Sequence, residues 1–382
     1  MVYSNEQLLL KYCAKVSNGN IDQLILEKRL NWKYIIEKGQ DNSIAPLLYY
    51  NLSKYQGKIP CDTFLNLKNT FDNTKRNNLL LYQELHKIIL CFRETKIPFI
   101  LLKGIDLAKR IYPDISLRPM TDIDILIKKE DLPRIEKALM PLNYLMYPNY
   151  YKVLDKPASP YLNAVVCKKL TVPFISLHFH WHIISNTFFP FYGYISSLDI
   201  EKIWRNAETA EIDGLGVLRM DHNDLLFFLS LHGFKHFFNS LIYLSDIDAL
   251  LTKYRERLDW QKIIRDAFEF NLDRPLYFCL YFTKEILKTN ISVNILNKLK
   301  PKKINFIEKK FIDSVLEGKP DKNLFYFMLL AMNRTFTKKF RFIFRTILPD
   351  PKFKFQLQEI AGIKSGFQYT INHIGKIIRS IF

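Results

Sequence analysis

Cysteine is scarce. The five residues Cys13, Cys61, Cys91, Cys167 and Cys279 are scattered over 382 positions with no CxxC pair. That excludes a disulfide scaffold and a cysteine-based zinc ribbon, and it suits a reducing cytosol. Twelve glycines and 17 prolines are too few for a linker-rich or fibrous chain. The opening MVYSNEQLLLKYC has no basic segment followed by an apolar one, so no secretion signal is expected. No run reaches about 18 uninterrupted apolar residues, so no membrane-spanning helix is expected. The expected location is the cytoplasm, with at most peripheral contact with a membrane. No repeat of fixed period, GxxxxGKS/T loop or HExxH pair occurs, which removes solenoids, P-loop enzymes and HExxH metalloproteases.

Apolar residues make up 48% of the chain and aromatic ones 14%, ample for real cores. The length exceeds one ordinary core, so two or three domains are expected. Net charge is +18, and residues 301–382 hold 16 Lys/Arg against 6 Asp/Glu. Such a field favours an anionic partner (nucleic acid, anionic lipid or nucleotide phosphate), unless it is simply a solvated basic surface.

Residues 1–95 space their apolar side chains at helical period, as in NEQLLLKYC, WKYIIEKG and NLLLYQELHKIILCFRET. The pattern then changes. KIPFILLKG reads as a strand ending in a turn, IDLAKRIY as a short helix stopped by Pro113, and DIDILI as the next strand. KEDLPRIEKALMPL reads as a helix, followed by strand-like YLMY, YLNAVVCKK and PFISLHFHWHI. From about residue 221 the helical period returns. Three regions are expected: helical 1–95, an α/β core over 96–220, and helical 221–382 with a basic tail.

Within RPMTDIDILI, residues i and i+2 of a strand point to one face. Asp122 and Asp124 therefore lie side by side, their Cα atoms roughly 6.5 Å apart. Two carboxylates on one face repel unless a cation neutralises them. Mg2+ takes hard oxygen ligands, commonly one or two carboxylates plus substrate phosphates. The alternative is a solvated edge pair, or one Asp meeting Arg118, whose local salt-bridge partner would be Asp114 or Asp122. Lys103-Gly104 stands at a strand-to-helix turn, where glycine and a helix N-terminus favour the approach of phosphate.

A strand–KG–helix followed by a DxD strand resembles the nucleotidyltransferase fold of the DNA polymerase beta type. More closely, the chain resembles a bacterial family of uncharacterised nucleotidyltransferases with an LLKG…LY…RPxxDiDlLv block. Here the block reads LLKGIDLAKRIYPDISLRPMTDIDILI, from Leu101 to Ile127. IAPLLYYNL, HWHI and LSLHGFKHFF…LIYLSDIDALL are similar to flanking signatures of that family, and the likeness covers about residues 25–260. The resemblance implies an α+β chain, with a small mixed-sheet core between helical regions. It implies transfer of NMP, AMP first among them, from an NTP to an unidentified acceptor (protein, sugar or small molecule). Mg2+, or Mn2+ in its place, would be held by Asp122 and Asp124. Lys103 and Gly104 would cradle phosphate, and Arg118 would contact phosphate or brace its loop.

The fold usually adds a third acid on a neighbouring strand, in the similar family two residues before the His of its HW pair. Here His178 stands at that place, or Ser176 if His178 is taken as the family His. His178, His180 and His182 are expected on one strand face. They could hold Zn2+, Mn2+ or Fe2+, though they are poor ligands for Mg2+. Alternatively His178 replaces the acid as a base, or the histidines are satisfied by backbone carbonyls. Further on, LHGFKHFF sets His232 and His236 at i, i+4, with Lys235 beside them. Lys235 and His236 are candidate phosphate contacts, and His236 paired with Asp246 is the structural alternative. TKKFRFIFRTILPDPKFKFQ and NHIGKIIRSIF suit a basic nucleic-acid or membrane-surface contact, or plain packing. A catalytically impaired nucleotide-binding module, without the third acid, remains the competing reading of the whole.

Overall fold

The computed structural model describes residues 3–16, 21–27, 29–146, 163–183, 198–325 and 340. Its strands are β1 (Phe99–Leu102), β2 (Asp122–Ile127), β3 (Tyr144–Met146), β4 (Ala164–Lys169), β5 (Ser176–His180), β6 (Glu208–Ile212) and β7 (Leu215–Arg219). They form one mixed sheet in the order β3-β4-β5-β2-β1-β7-β6. At its centre β2 runs antiparallel to β1 and parallel to β5, while β7 joins β1 in parallel.

Helices α1 (Asn5–Cys13), α2 (Asp22–Glu27), α3 (Trp32–Asp41), α4 (Ala45–Leu52) and α5 (Cys61–Glu94) precede the sheet. α6 (Lys103–Arg110), α7 (Leu132–Leu139) and α8 (Ile200–Asn206) lie between strands. α9 (His222–Lys235), α10 (Leu241–Tyr254), α11 (Trp260–Glu269), α12 (Asp273–Leu287), α13 (Val293–Leu299) and α14 (Phe306–Leu316) follow. The chain is α+β, as its sequence implies. Among the described residues, no helix is long and apolar enough to cross a membrane.

The pleat sorts the central strands into two faces. Ile123, Ile125, Ile127, Leu177 and Phe179 pack with Leu85, Ile88 and Phe92 of α5 and Ile135 of α7. Ile100, Leu102 and Leu126 point the other way, into a larger core. That second core contains residues of α1–α4 and of α9–α14 together. Helices from the two ends of the described chain thus close one apolar layer, and polar contacts tie them. Ser240 Oγ donates to the Asn42 carbonyl at 2.7 Å, and the Leu241 N–H donates to Asn42 Oδ1 at 3.0 Å.

The structure departs from the sequence reading at three places. The β6–β7 hairpin was not expected. Its turn residues Asp213 and Gly214 both have positive φ (51° and 78°), the type I′ geometry that an Asp-Gly pair favours. Strand β5 stops at His180, so His178 and His180 share a strand face while His182 lies beyond the strand. Arg118 and His236 do not take the partners suggested as structural alternatives, as described below. The two basic tail segments fall outside the described residues, except for Phe340.

Candidate functional site

Register brings the site together. Asp124 stands opposite Leu102 of β1 and His178 of β5, and Asp122 opposite Ser176. Asp124 is only 3% exposed, and a carboxylate so buried must be matched by partners. Lys103 Nζ donates to its Oδ1 at 2.6 Å, and His180 Nε2 lies 2.8 Å from the same oxygen. Burial pushes the Asp124 carboxyl up, but the Lys103 ammonium and the His180 contact outweigh it and hold the group well below the usual carboxylate range. Burial pushes the His180 imidazole down. Asp122 sits nearer solvent. Burial, then the charge of Asp124, raises its carboxyl. His178 Nδ1 bridges the pair, 3.2 Å from Asp122 Oδ2 and 3.8 Å from Asp124 Oδ1.

Lys103, directly after β1, adopts the left-handed region, with φ at 53°. For a residue with a Cβ this costs about 1–3 kcal/mol, and the surrounding structure must enforce it. The bend delivers the ammonium to Asp124 and starts α6. A Cβ on the next residue, Gly104, would stand 2.8 Å from Met120 Cγ. Glycine there lets the 118–120 loop close over the turn.

That loop is held from beneath by α5, a feature the sequence reading missed. Asn77 Nδ2 donates to the Met120 carbonyl at 2.7 Å. Asn78 Nδ2 donates to the carbonyls of Ile115 at 2.6 Å and Arg118 at 2.9 Å. Two adjacent asparagines at the edge of the apolar run that begins at Leu79 are the signal, because Asn is a poor helix former without a tertiary task. Asn78→Ala is expected to cost about 1–3 kcal/mol, since it strands buried carbonyls. A urea unfolding midpoint measures this, and a loss under half a kcal/mol would remove the pinning role assigned to Asn78.

Arg118 reaches away from the aspartate pair. Its Nε and Nη2 both meet the Asp246 carboxylate of α10 at 2.9 Å, and Tyr112 Oη donates to the same carboxylate at 2.7 Å. Neither Asp114 nor Asp122 is its ion-pair partner, because the 12%-exposed guanidinium finds a buried carboxylate shaped for two-point contact. Asp246 is therefore not the partner of His236, whose ring stacks on Tyr243 with centroids 5.4 Å apart. The Arg118–Asp246 pairing ties the loop before β2 to the helical layer.

α9 adds positive and imidazole groups on the same side. Burial, then the charge of Lys103, lowers the Lys235 ammonium to about 8. Burial, followed by Lys235 and Lys103, lowers the His236 imidazole to about 4. His232 is pushed well below its ordinary value by burial and Lys103. Lys103 is thus felt by all three residues. The two imidazoles are neutral near pH 7 and offer hydrogen bonds rather than charge. A Cβ on Gly233 would come within 3.0 Å of the Phe238 ring, so glycine permits the sharp turn that carries α9 into α10.

Of the residues singled out in the sequence, the structure brings Asp122, Asp124, His178 and Lys103 into one cluster. Gly104 follows Lys103 directly, Lys235 and His236 lie within the electrostatic reach of Lys103, and Arg118 pairs with Asp246. Among the described residues, Asp124, His178 and His180 form a group whose ligand atoms lie within 4.8 Å of one another. One carboxylate oxygen and two ring nitrogens, with a second carboxylate at the mouth, fit a divalent ion.

The model of a family described as uncharacterised nucleotidyltransferase matches residues 28–288, a span that includes every residue of this site. No match was found among proteins of curated function.

Proposed function

Because the chain belongs to the uncharacterised nucleotidyltransferase family, we propose that it transfers a nucleoside monophosphate, AMP first among them, from an NTP to an acceptor hydroxyl. The core is taken to be of the DNA polymerase beta type. One observation carries the reading: of the two carboxylates on β2, Asp124 meets Lys103 at the β1–α6 turn, within the field of Lys235 on α9, and Asp122 stands beside it.

Asp122 and Asp124 are assigned to a divalent cation, Mg2+ or Mn2+. When bound, such an ion neutralises charge on the phosphates and orients the displacement. The side chains around them position the substrate. Lys103 and Lys235 supply positive charge for the triphosphate, and Gly104 brings the backbone at the start of α6 within reach of phosphate. His236 offers a neutral N–H. Arg118, locked to Asp246, serves the nucleotide by holding the loop that leads to Asp122. His178 takes the place of a third acid, and its imidazole can accept the proton of the attacking hydroxyl. The acceptor is a protein, a sugar or a small molecule, and the proposed location is the cytoplasm. The basic C-terminal region is the proposed contact for nucleic acid or an anionic membrane surface.

The test uses the full chain with labelled NTPs, Mg2+ or Mn2+, and cell lysate. Transfer of label to an acceptor is the expected result. No transfer from any common NTP, with either ion, would overturn the reading. A second reading draws on His178 standing where an acid is expected: a nucleotide-binding module without turnover. NTP and metal would then raise the melting temperature with no label transferred.

Lys235 makes nucleotide binding pH-dependent. Its ammonium discharges near pH 8, so NTP affinity is expected to fall as pH rises through about 8. Stability moves the opposite way. The folded value lies below the unfolded one of about 10.4, so the unfolded chain holds more protons between them and Lys235 favours folding increasingly as pH rises. Nucleotide titrations from about pH 7 to about pH 9.5 check this. Lys235→Met should flatten the profile, and an unchanged profile would remove Lys235 from the phosphate site.

A further inference from the structure

We infer that Asp124, His178 and His180, with Asp122 at the open side, form a metal site that selects a first-row transition-series ion such as Mn2+, Co2+ or Zn2+ over Mg2+. The inference rests on the nucleotidyltransferase reading for the use of the ion, and on side-chain positions for its identity.

Ligands about 2.1 Å from one ion lie roughly 3.0 Å apart when adjacent on an octahedron and roughly 4.2 Å apart when opposite. Three of the donor pairs lie close to or between these values. Asp124 Oδ1 and His180 Nε2 are 2.8 Å apart, and His178 Nδ1 is 3.2 Å from Asp122 Oδ2 and 3.8 Å from Asp124 Oδ1. Strand register sets these spacings. His178 and His180 are i and i+2 on β5, which is hydrogen-bonded on one side to β2 and on the other to β4. His180 is also 7% exposed, so its ring is held by packing.

Chemistry then decides the ion. Mg2+ prefers hard oxygen donors and gives up its water reluctantly, and two imidazoles in a four-residue donor set work against it. Imidazole suits the later first-row ions, whose affinity for nitrogen rises from Mn2+ through Co2+. The Lys103 ammonium shares Asp124 Oδ1 at 2.6 Å and competes with an ion for that oxygen. His178 gives Nδ1 to the ion, so its Nε2 carries the ring proton, and with the ion bound His178 acts as a ligand in place of the base role proposed above.

The full chain, without nucleotide, should be loaded with Mn2+ and measured by pulsed electron paramagnetic resonance, with equilibrium dialysis against Mn2+ and Mg2+ in parallel. Nitrogen-14 couplings of imidazole and binding of Mn2+ about tenfold or more tighter than Mg2+ are expected. His178→Asp should weaken the nitrogen coupling and narrow the Mn2+/Mg2+ ratio. Because the first two measurements use the unaltered chain, a poorly folding variant leaves the inference testable. An all-oxygen Mn2+ signal, equal affinities, or binding of neither ion overturns it. Label transfer with an all-oxygen signal overturns this inference but leaves the nucleotidyltransferase reading standing. Nitrogen coupling without label transfer supports the site and overturns that reading.

Discussion

Asp124→Asn should cut label transfer by roughly 10²–10³-fold while the chain stays folded. The substitution keeps shape and removes one charge. That charge is buried and held ionised against burial by Lys103 and His180. In the proposed reaction it supports several kcal/mol of charge stabilisation, and each factor of ten in rate is about 1.4 kcal/mol. Asp122→Asn should cost less, because Asp122 lies at the mouth with its side chain 30% exposed. Acid titration gives a second readout. Since the folded carboxyl of Asp124 lies below its unfolded value, its stabilisation is complete above about pH 3.9 and decays as pH falls below it. Asn at this position should remove that part of the acid sensitivity. Transfer assays with circular dichroism decide the matter. Label transfer unchanged in Asp122→Ala/Asp124→Ala would sink the assignment of both carboxylates.

Asp246→Ala should destabilise the chain by about 3–5 kcal/mol, the usual cost of leaving one buried charge without its partner. The Asp246 side chain is 2% exposed and that of Arg118 12%, so water cannot replace the lost carboxylate. Tyr112 loses its acceptor as well. Replacing both Arg118 and Asp246 with leucine should recover much of the loss, because an apolar pair carries no desolvation cost. A double-mutant cycle on urea midpoints separates the two effects. A loss below about 1 kcal/mol would mean that the bridge behaves as a surface pair. The functional consequence is expected in KM for the NTP, since the loop leading to Asp122 loses its tie to α10.

Much of the site could be read from the sequence because its signals are local. Alternation in DIDILI put both aspartates on one face, and Lys103-Gly104 marked the turn opposite them. Counting two residues back from His180 set His178 at the third position, and the β2–β5 register places it opposite Asp124. Partners distant in sequence were not legible. Nothing in RPMTD says that its arginine belongs to a carboxylate 128 residues later. Nor does IAPLLYYNL say that its apolar face is completed by α9–α14. Such pairings are set by the fold as a whole, and single helices carry only the fact of an apolar stripe. The β6–β7 hairpin is different: its Asp213-Gly214 signal is local and stands in the sequence.

The layer shared by the first and last helices has a further effect during synthesis. Asn42 and Ser240, which touch in the folded chain, are made 198 residues apart. At roughly 5–20 residues per second, α1–α4 leave the ribosome some 10–40 s before the helices that cover them exist. Through that interval Leu47 and Leu48, both fully buried in the finished protein, have no final resting place. The nascent chain must shelter them by transient collapse or by a holding chaperone, so slowing translation ahead of α9 should lower the soluble yield.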